Sequence, residues 1–144
     1  MSAVVTDKLV DALIREYGNR GARYVLDGIP PSNNKYAGRE NSWEYRSDKN
    51  HWETYVAMVT MNKRPRQPLK SAIVILTYHF PTKGRRDPDN NAGKFILDGL
   101  RLGGVLADDS FDCITLLLRK GEVSKKPTTE ILVLSTEEEV PMGA

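Results

Sequence analysis

The spacing of apolar residues along the chain predicts three helices. In three segments, apolar side chains recur at the spacing of an amphipathic helix, bounded by capping or breaking residues. The predicted helices cover residues 6–17, residues 48–62, and a segment that starts at an Asp89 or Asn90 cap and stops at Gly103-Gly104.

Four shorter runs, rich in β-branched and aromatic residues, predict strands. They cover residues 23–27, 69–80, 111–119 and 129–135, and we expect the last two to form an antiparallel pair joined by a polar segment. Helices interspersed with strands, without an internal repeat, indicate a single α+β domain in which a mixed β-sheet packs against helices.

Length and composition narrow the class of protein. The chain has 144 residues, 40% of them hydrophobic and 28% charged, as expected of one globular domain. No apolar run approaches the length of a spanning helix and no signal pattern opens the chain, so we expect an intracellular protein with no membrane partner. The single cysteine and two histidines exclude a disulfide framework and a thiolate zinc site.

Charge is distributed unevenly along the chain. Residues 35–86 carry eleven basic and four acidic side chains, whereas residues 87–118 carry two basic and six acidic ones. A basic region beside an acidic cluster suits an enzyme that acts on a polyanion, because the first can bind phosphates and the second a divalent cation. The alternative is that these charges only solvate the surface.

Four carboxylates form the candidate chemistry. Asp87 and Asp89 follow the strongest predicted strand, and Asp108 and Asp109 follow a Gly-Gly break at which the chain can fold back beside the first pair. Carboxylates without cysteine or histidine suit Mg²⁺ or Mn²⁺ rather than zinc. A cation would also relieve the repulsion among these acids.

Lys94 lies one helical turn beyond the first acidic pair. From there its ammonium group could reach a phosphate oxygen while a metal ion holds another. The alternative is an ordinary exposed ion pair with Asp98, four residues later on the same helix.

The acidic residues have two other interpretations. Residues 87–98 partly match a calcium-binding EF-hand loop, but Ala92 stands where that loop needs glycine and Lys94 adds a positive charge. The acids could instead form salt bridges with Arg85 and Arg86, although these arginines and Lys94 would leave at least one carboxylate unpaired.

Four motifs in order resemble the RusA family of Holliday junction resolvases, which is common in phages and prophages. They are Gly-Ile-Pro-Pro-Ser-Asn-Asn-Lys at 28–35, Arg-Asp-Pro-Asp-Asn at 86–90, Lys-xxx-Asp-Gly-Leu at 94–100 and Gly-Val-Leu-Ala-Asp-Asp-Ser at 104–110. The resemblance covers roughly residues 27–120, and its most specific part is 85–110.

The resemblance implies a homodimeric, Mg²⁺-dependent crossover junction endonuclease, in which Mn²⁺ can replace Mg²⁺. Such an enzyme hydrolyses four-way DNA junctions in recombination and repair, in the cytoplasm of a bacterial or phage-infected cell, without a small-molecule cofactor. It also implies a RusA-like domain at residues 23–136, preceded by a helical extension at 1–22 and followed by a flexible acidic tail at 137–144.

The resemblance also assigns site residues by position. Asp87, Asp89 and Asp109 match the catalytic, metal-binding acids, Lys94 matches the essential lysine, and Asp108 is the neighbouring acid. One departure is that four residues separate Asp89 from Lys94, one more than in the family pattern. We expect the extra residue to lie in the turn that opens the helix.

Basic residues outside the acidic cluster are the candidate contacts for DNA. The predicted contacts are Lys63, Arg64, Arg66, Arg85, Arg86 and the motif residue Asn90. The aromatic residues Tyr36, Trp43 and Tyr45 could stack on unpaired bases or simply pack in the core.

The same residues are compatible with two further functions. The chain could be a branched-DNA-binding protein without catalytic activity, although its complete set of acids argues against this. Less favourably, it could be a structural domain stabilised by a divalent metal.

Overall fold

A computed structural model describes residues 2–38 and 42–137, with the side chains of the first helix included from Asp7 onward. Within these residues, three α-helices and four strands follow one another along the chain. They are α1 (Ser2–Tyr17), β1 (Gly21–Asp27), α2 (Ser42–Thr60), β2 (Ala72–His79), α3 (Lys94–Leu102), β3 (Ile114–Lys120) and β4 (Thr128–Ser135). No helix in the described part of the chain is long and apolar enough to span a membrane.

The strands form one mixed sheet in the order β1-β4-β2-β3. Strand β4 pairs antiparallel with both β1 and β2, and β3 pairs parallel with β2. A parallel pair needs a crossover connection, and α3 supplies it between β2 and β3. The predicted single-domain α+β architecture with a mixed sheet is confirmed.

The predicted pairing of the last two strands is wrong. Strand β2 lies between β3 and β4, so Val74 pairs with Leu116 on one side and Val133 on the other. The reason is the amphipathic helix α3, which returns the chain across the sheet before β3 begins. Strand β2 is buried over most of its length, as a central strand covered on both faces must be.

Helices cover both faces of the sheet. On one face, α2 and α3 bury Val56, Ile96 and Leu100 against inward-facing side chains of β2 and β4. On the other face, Val10 of α1 packs against Ile75 and Leu134. Helix α1 therefore covers its own sheet as part of a three-layer domain.

Helices α2 and α3 approach each other closely because α3 carries glycine at the contact. A Cβ atom at Gly99 would lie 2.5 Å from the Cβ atom of Val56, and one at Gly103 would lie 2.7 Å from the Oγ1 atom of Thr60. These two glycines set the distance at which side chains of α2 meet those of α3.

Several boundaries differ from the predicted ones. Helix α2 begins six residues earlier than expected, because Tyr45 in its first turns packs against Phe95 of α3. The expected cap of α3 belongs instead to a short 3-10 helix over Pro88–Asn91. The predicted tail begins at Glu137, whose carbonyl accepts a hydrogen bond from Arg20. Residues 138–144 lie outside the described part.

Candidate active site

Helix α3 is the scaffold on which the candidate residues are arranged. Asp87, Asp89 and Asn90 lie in the segment that leads into it, and Asp108 and Asp109 lie in the loop that leaves it. Between Asp89 and Lys94 the chain passes through a 3-10 turn and Gly93, whose φ of 84° lies in the left-handed region. A Cβ atom at Gly93 would lie 2.3 Å from Leu76, so only glycine fits this turn.

Lys94 lies between two carboxylates. Its Nζ atom is 3.1 Å from Oδ1 of Asp98 and 4.0 Å from Oδ2 of Asp109. The lysine side chain is 59% exposed, whereas that of Asp98 is only 6% exposed. The ion pair with Asp98 that the sequence offers as an alternative is therefore present, but Asp98 is buried between α2 and α3 instead of exposed.

Asp98 is the buried anion of a wider ion-pair network. Arg101 Nη1 lies 3.8 Å from its Oδ1 atom, and Lys49 Nζ of α2 lies 3.5 Å from its Oδ2 atom. This Oδ2 atom is buried and makes no hydrogen bond within the described part of the chain. A hydrogen bond to Glu53 is the main cause that raises the pKa of Lys49, which keeps this lysine charged beside Asp98.

The later acidic pair faces the same cations. Arg101 lies 3.9 Å from Asp108 and 3.8 Å from Asp109, measured between side-chain nitrogen and oxygen atoms. The backbone N–H of Asp109 donates to Oδ1 of Asp108 at 2.9 Å, which holds the Asp108 side chain against the backbone of Asp109. Lys94, Arg101 and these carboxylates thus form one contiguous charged cluster with Asp98.

The earlier acidic pair lies at the N-terminal end of α3. Asp87 is partly exposed and pairs with Arg85 at 3.1 Å, and Asp89 is exposed. The backbone carbonyl of Asp89 accepts a hydrogen bond from the Asn33 side chain at 2.7 Å. This bond joins the upstream Pro-Pro-Ser-Asn-Asn segment to the segment that carries Asp87 and Asp89.

The carboxylates are suitable ligands for a hard divalent cation, because such cations bind oxygen atoms. Within the described residues, however, no three or more acidic, histidine or cysteine side chains are grouped closely enough to hold a metal ion. Asp108 and Asp109 are brought together, whereas Asp87 is engaged by Arg85. The expected gathering of both acidic pairs around one ion is therefore not preformed.

The basic candidates form two separate groups at opposite ends of β2. Lys63, Arg64 and Arg66 are exposed in the loop that precedes the strand, and Arg85 and Arg86 are exposed in the segment that follows it. An eight-residue strand spans about 26 Å. The predicted contacts therefore form two groups instead of one patch.

Each basic group is anchored by its own contacts. The Tyr24 hydroxyl donates to the Lys63 carbonyl, and burial raises the pKa of this hydroxyl to about 12. At the other end of β2, the Arg86 guanidinium lies 4.4 Å from the centre of the Phe80 ring.

Sequence reasoning missed cations that come from other elements. Arg119 and Lys120 at the end of β3 line an open surface pocket together with Arg86 and Asp87. Lys49 reaches Asp98 from α2, and only the packing of the helices brings these two residues together. No linear spacing marks either contact.

Two of the three aromatic candidates pack within the protein. The Tyr36 and Tyr45 rings lie 5.1 Å apart edge to face, and Tyr45 also packs on Phe95. The Tyr36 hydroxyl donates to Asp48, and burial is the main cause that raises the pKa of this hydroxyl. Trp43, in contrast, is 72% exposed.

Comparison of the chain with protein-family models finds no match, and comparison with curated proteins finds no matching relative. The resemblance to RusA-type resolvases therefore rests on the residues and motifs of the chain itself.

Proposed function

We propose that this protein is a metal-dependent endonuclease that hydrolyses phosphodiester bonds in branched DNA, with the four-way junction as its substrate. The observation that carries the proposal is the position of Lys94, 4.0 Å from Asp109 and 3.1 Å from the buried Asp98. An exposed cation beside carboxylate ligands can pair with a phosphate oxygen at the point where a metal would act.

The residues would divide the chemistry between them. Asp87, Asp89 and Asp109, with Asp108 beside the last, would hold Mg²⁺ or Mn²⁺. When bound, the metal supplies a Lewis acid and an activated water for hydrolysis. Because the three carboxylates are not preformed as one group, DNA and metal would have to bind together, with phosphate oxygens completing the set of ligands.

The cations would exchange partners when DNA binds. Arg85 neutralises Asp87, and Arg101 with Lys94 neutralises Asp109. A metal ion at these carboxylates would replace that neutralisation and leave the cations available to phosphates. Asp98 is buried and stays paired, so it would act as a positioning residue that limits where the Lys94 ammonium points.

Surface charge supports branched DNA as the substrate, and the symmetry of a junction supports a homodimer. Two exposed basic groups at opposite ends of β2 could each hold one DNA arm through its phosphates. A junction has two equivalent strands to cut, and a homodimer can present two copies of one site to them.

The direct experiment incubates the protein with end-labelled four-way, three-way and linear DNA in Mg²⁺, Mn²⁺ or EDTA. The proposal expects paired incisions near the branch point in either metal and none in EDTA. Cleavage of linear duplex alone, or equal cleavage in EDTA, would contradict it.

A second candidate is a branched-DNA-binding protein without catalytic activity. It is favoured by one observation, the absence of a preformed group of three metal-ligating side chains among the described residues. Tight junction binding without cleavage in Mg²⁺ or Mn²⁺ would select this candidate.

A further inference from the structure

Phe111 projects its whole side chain into solvent. Its relative exposure is 104%, the highest among the exposed large hydrophobic side chains of the described residues. Among the aromatic side chains that the structure describes, Trp43 is the one other exposed case, and Tyr36 and Tyr45 are packed. An aromatic ring in this position has no packing role within its own domain.

The turn that carries Phe111 is held firmly. The backbone N–H groups of Cys113 and Ile114 both donate to the Ser110 carbonyl at 3.0 Å, and the Cys113 carbonyl accepts from Ala72 at 2.9 Å. These bonds tie the turn to the start of β2. The backbone that carries the ring is therefore already ordered, so binding a partner costs little conformational entropy.

The position of the turn connects the ring to the charged cluster. Phe111 follows Asp109 by two residues, and Asp109 lies within 4.0 Å of both Lys94 and Arg101. A nucleotide whose phosphate reached these cations could therefore bring its own base, or a neighbouring one, to the ring.

The residues around the ring favour a nucleobase over a protein partner. Phe111 lies between Ser110 and Asp112, shortly after two further acids. Charged side chains are depleted from the cores of protein interfaces, so these acids disfavour a protein partner. Base-stacking sites combine an aromatic ring with positive charge, which Lys94 and Arg101 supply beside Asp109. Paired bases in linear duplex cover each other, but bases at a branch point can be unstacked.

We propose that Phe111 stacks on an unpaired nucleobase at the branch point of the DNA, beside the phosphate that Lys94 and Arg101 contact. This inference rests on the proposed function, because it takes branched DNA to be the substrate. Stacking of one base on one aromatic ring corresponds to about 5- to 150-fold in affinity.

The test compares affinities for a four-way junction and for linear duplex of equal length, both in EDTA. The junction carries 2-aminopurine at the branch point, whose fluorescence reports unstacking. Phe111→Ala should weaken junction binding about 5- to 150-fold, leave duplex binding unchanged and abolish the fluorescence change. Phe111→Trp should restore junction binding and the fluorescence change, and the matched control Met58→Ala, at an exposed apolar residue of α2, should behave as wild type.

Other results would overturn the inference in distinguishable ways. If Phe111→Ala binds the junction as wild type does, the stacking role is wrong while the proposed function stands. An equal loss on both DNAs, together with a lower mass by light scattering, would assign Phe111 to a contact between protein subunits instead. If the wild type binds neither DNA, the proposed function fails and the inference fails with it.

Discussion

The Lys94 ammonium group lies 3.1 Å from an Asp98 carboxylate that is 94% buried, and this pair joins the helix interface to the candidate site. The buried partner is fixed by helix packing, and the exposed partner extends to within 4.0 Å of Asp109. The buried Asp98 carboxylate therefore fixes the position of the Lys94 ammonium group at the surface. Such an arrangement links the stability of the α2–α3 contact to the geometry at Asp109.

Asp98 should stabilise the fold, because three cations lie around its buried carboxylate. Asp98→Asn removes the charge that faces Lys49, Lys94 and Arg101, so we expect the free energy of unfolding to fall by about 1–3 kcal/mol. Urea unfolding followed by circular dichroism measures this change. The control Asp112→Asn alters an exposed acid and should change the free energy by less than about 0.5 kcal/mol. Equal effects of the two variants would contradict the network.

Gly99→Ala should destabilise the protein even though alanine is the better helix former. A Cβ atom there would lie 2.5 Å from Val56 Cβ and 3.1 Å from the Glu53 carbonyl. The helices would have to separate, at a cost of about 1–3 kcal/mol beyond the roughly 1 kcal/mol gained in helix propensity. In thermal unfolding, Val56→Gly, which removes the Cβ atom that the alanine would meet, should be less destabilising when combined with Gly99→Ala than when made alone. Strictly additive effects would show that the two helices can separate at no cost.

The stability provided by Asp48 should depend on pH. Lys35 and Tyr36 donate hydrogen bonds to Asp48, and the bond from Lys35 is the main cause that lowers the pKa of this carboxyl from 3.8. Because the folded pKa is the lower one, the stabilisation is complete above pH 3.8 and is lost as the pH falls through the folded pKa. Asp48→Asn should therefore be less stable than wild type at pH 7, and the difference should shrink toward pH 3. A difference that is constant over this range would contradict the ion pair.

DNA affinity should depend on both basic groups separately. Log affinity should fall linearly with log salt, with a slope of about −0.9 per phosphate neutralised. Replacing Arg64 and Arg66 by alanine should make the slope shallower by about one to two units, and replacing Arg85 and Arg86 should do the same. Lys8→Ala, on the helix that covers the opposite face of the sheet, is the matched control. Salt-independent binding would point away from nucleic acid.

Much of the fold is predictable from the sequence, because its elements have local signals. Gly103-Gly104 correctly predicts the end of α3, and the apolar run at 69–80 correctly predicts β2. The partner of β3 carries no such signal, because the pattern of one strand does not encode its neighbour in the sheet. The pairing with β2 is decided by the crossover through α3, which is a property of the whole chain.

The candidate site is predictable in residue type but only partly in geometry. The order of acids and Lys94 along the chain marks the region, and the segment before Lys94 is a 3-10 turn followed by Gly93. The burial of Asp98 and its contact with Lys49 depend on how closely Gly99 lets α2 approach. Helical spacing predicted an exposed pair because it takes no account of the second helix.

The most direct test of the account is the rate of junction cleavage by Asp109→Asn in Mg²⁺, compared with Asp112→Asn. Both variants remove one acid from the same loop, but Asp109 faces Lys94 and Arg101, whereas Asp112 is exposed outside the cluster. We predict that Asp109→Asn cuts a four-way junction roughly 100-fold or more slowly while binding it at least as tightly as wild type, and that Asp112→Asn cuts it normally. Cleavage by Asp109→Asn at near the wild-type rate would contradict the proposed site.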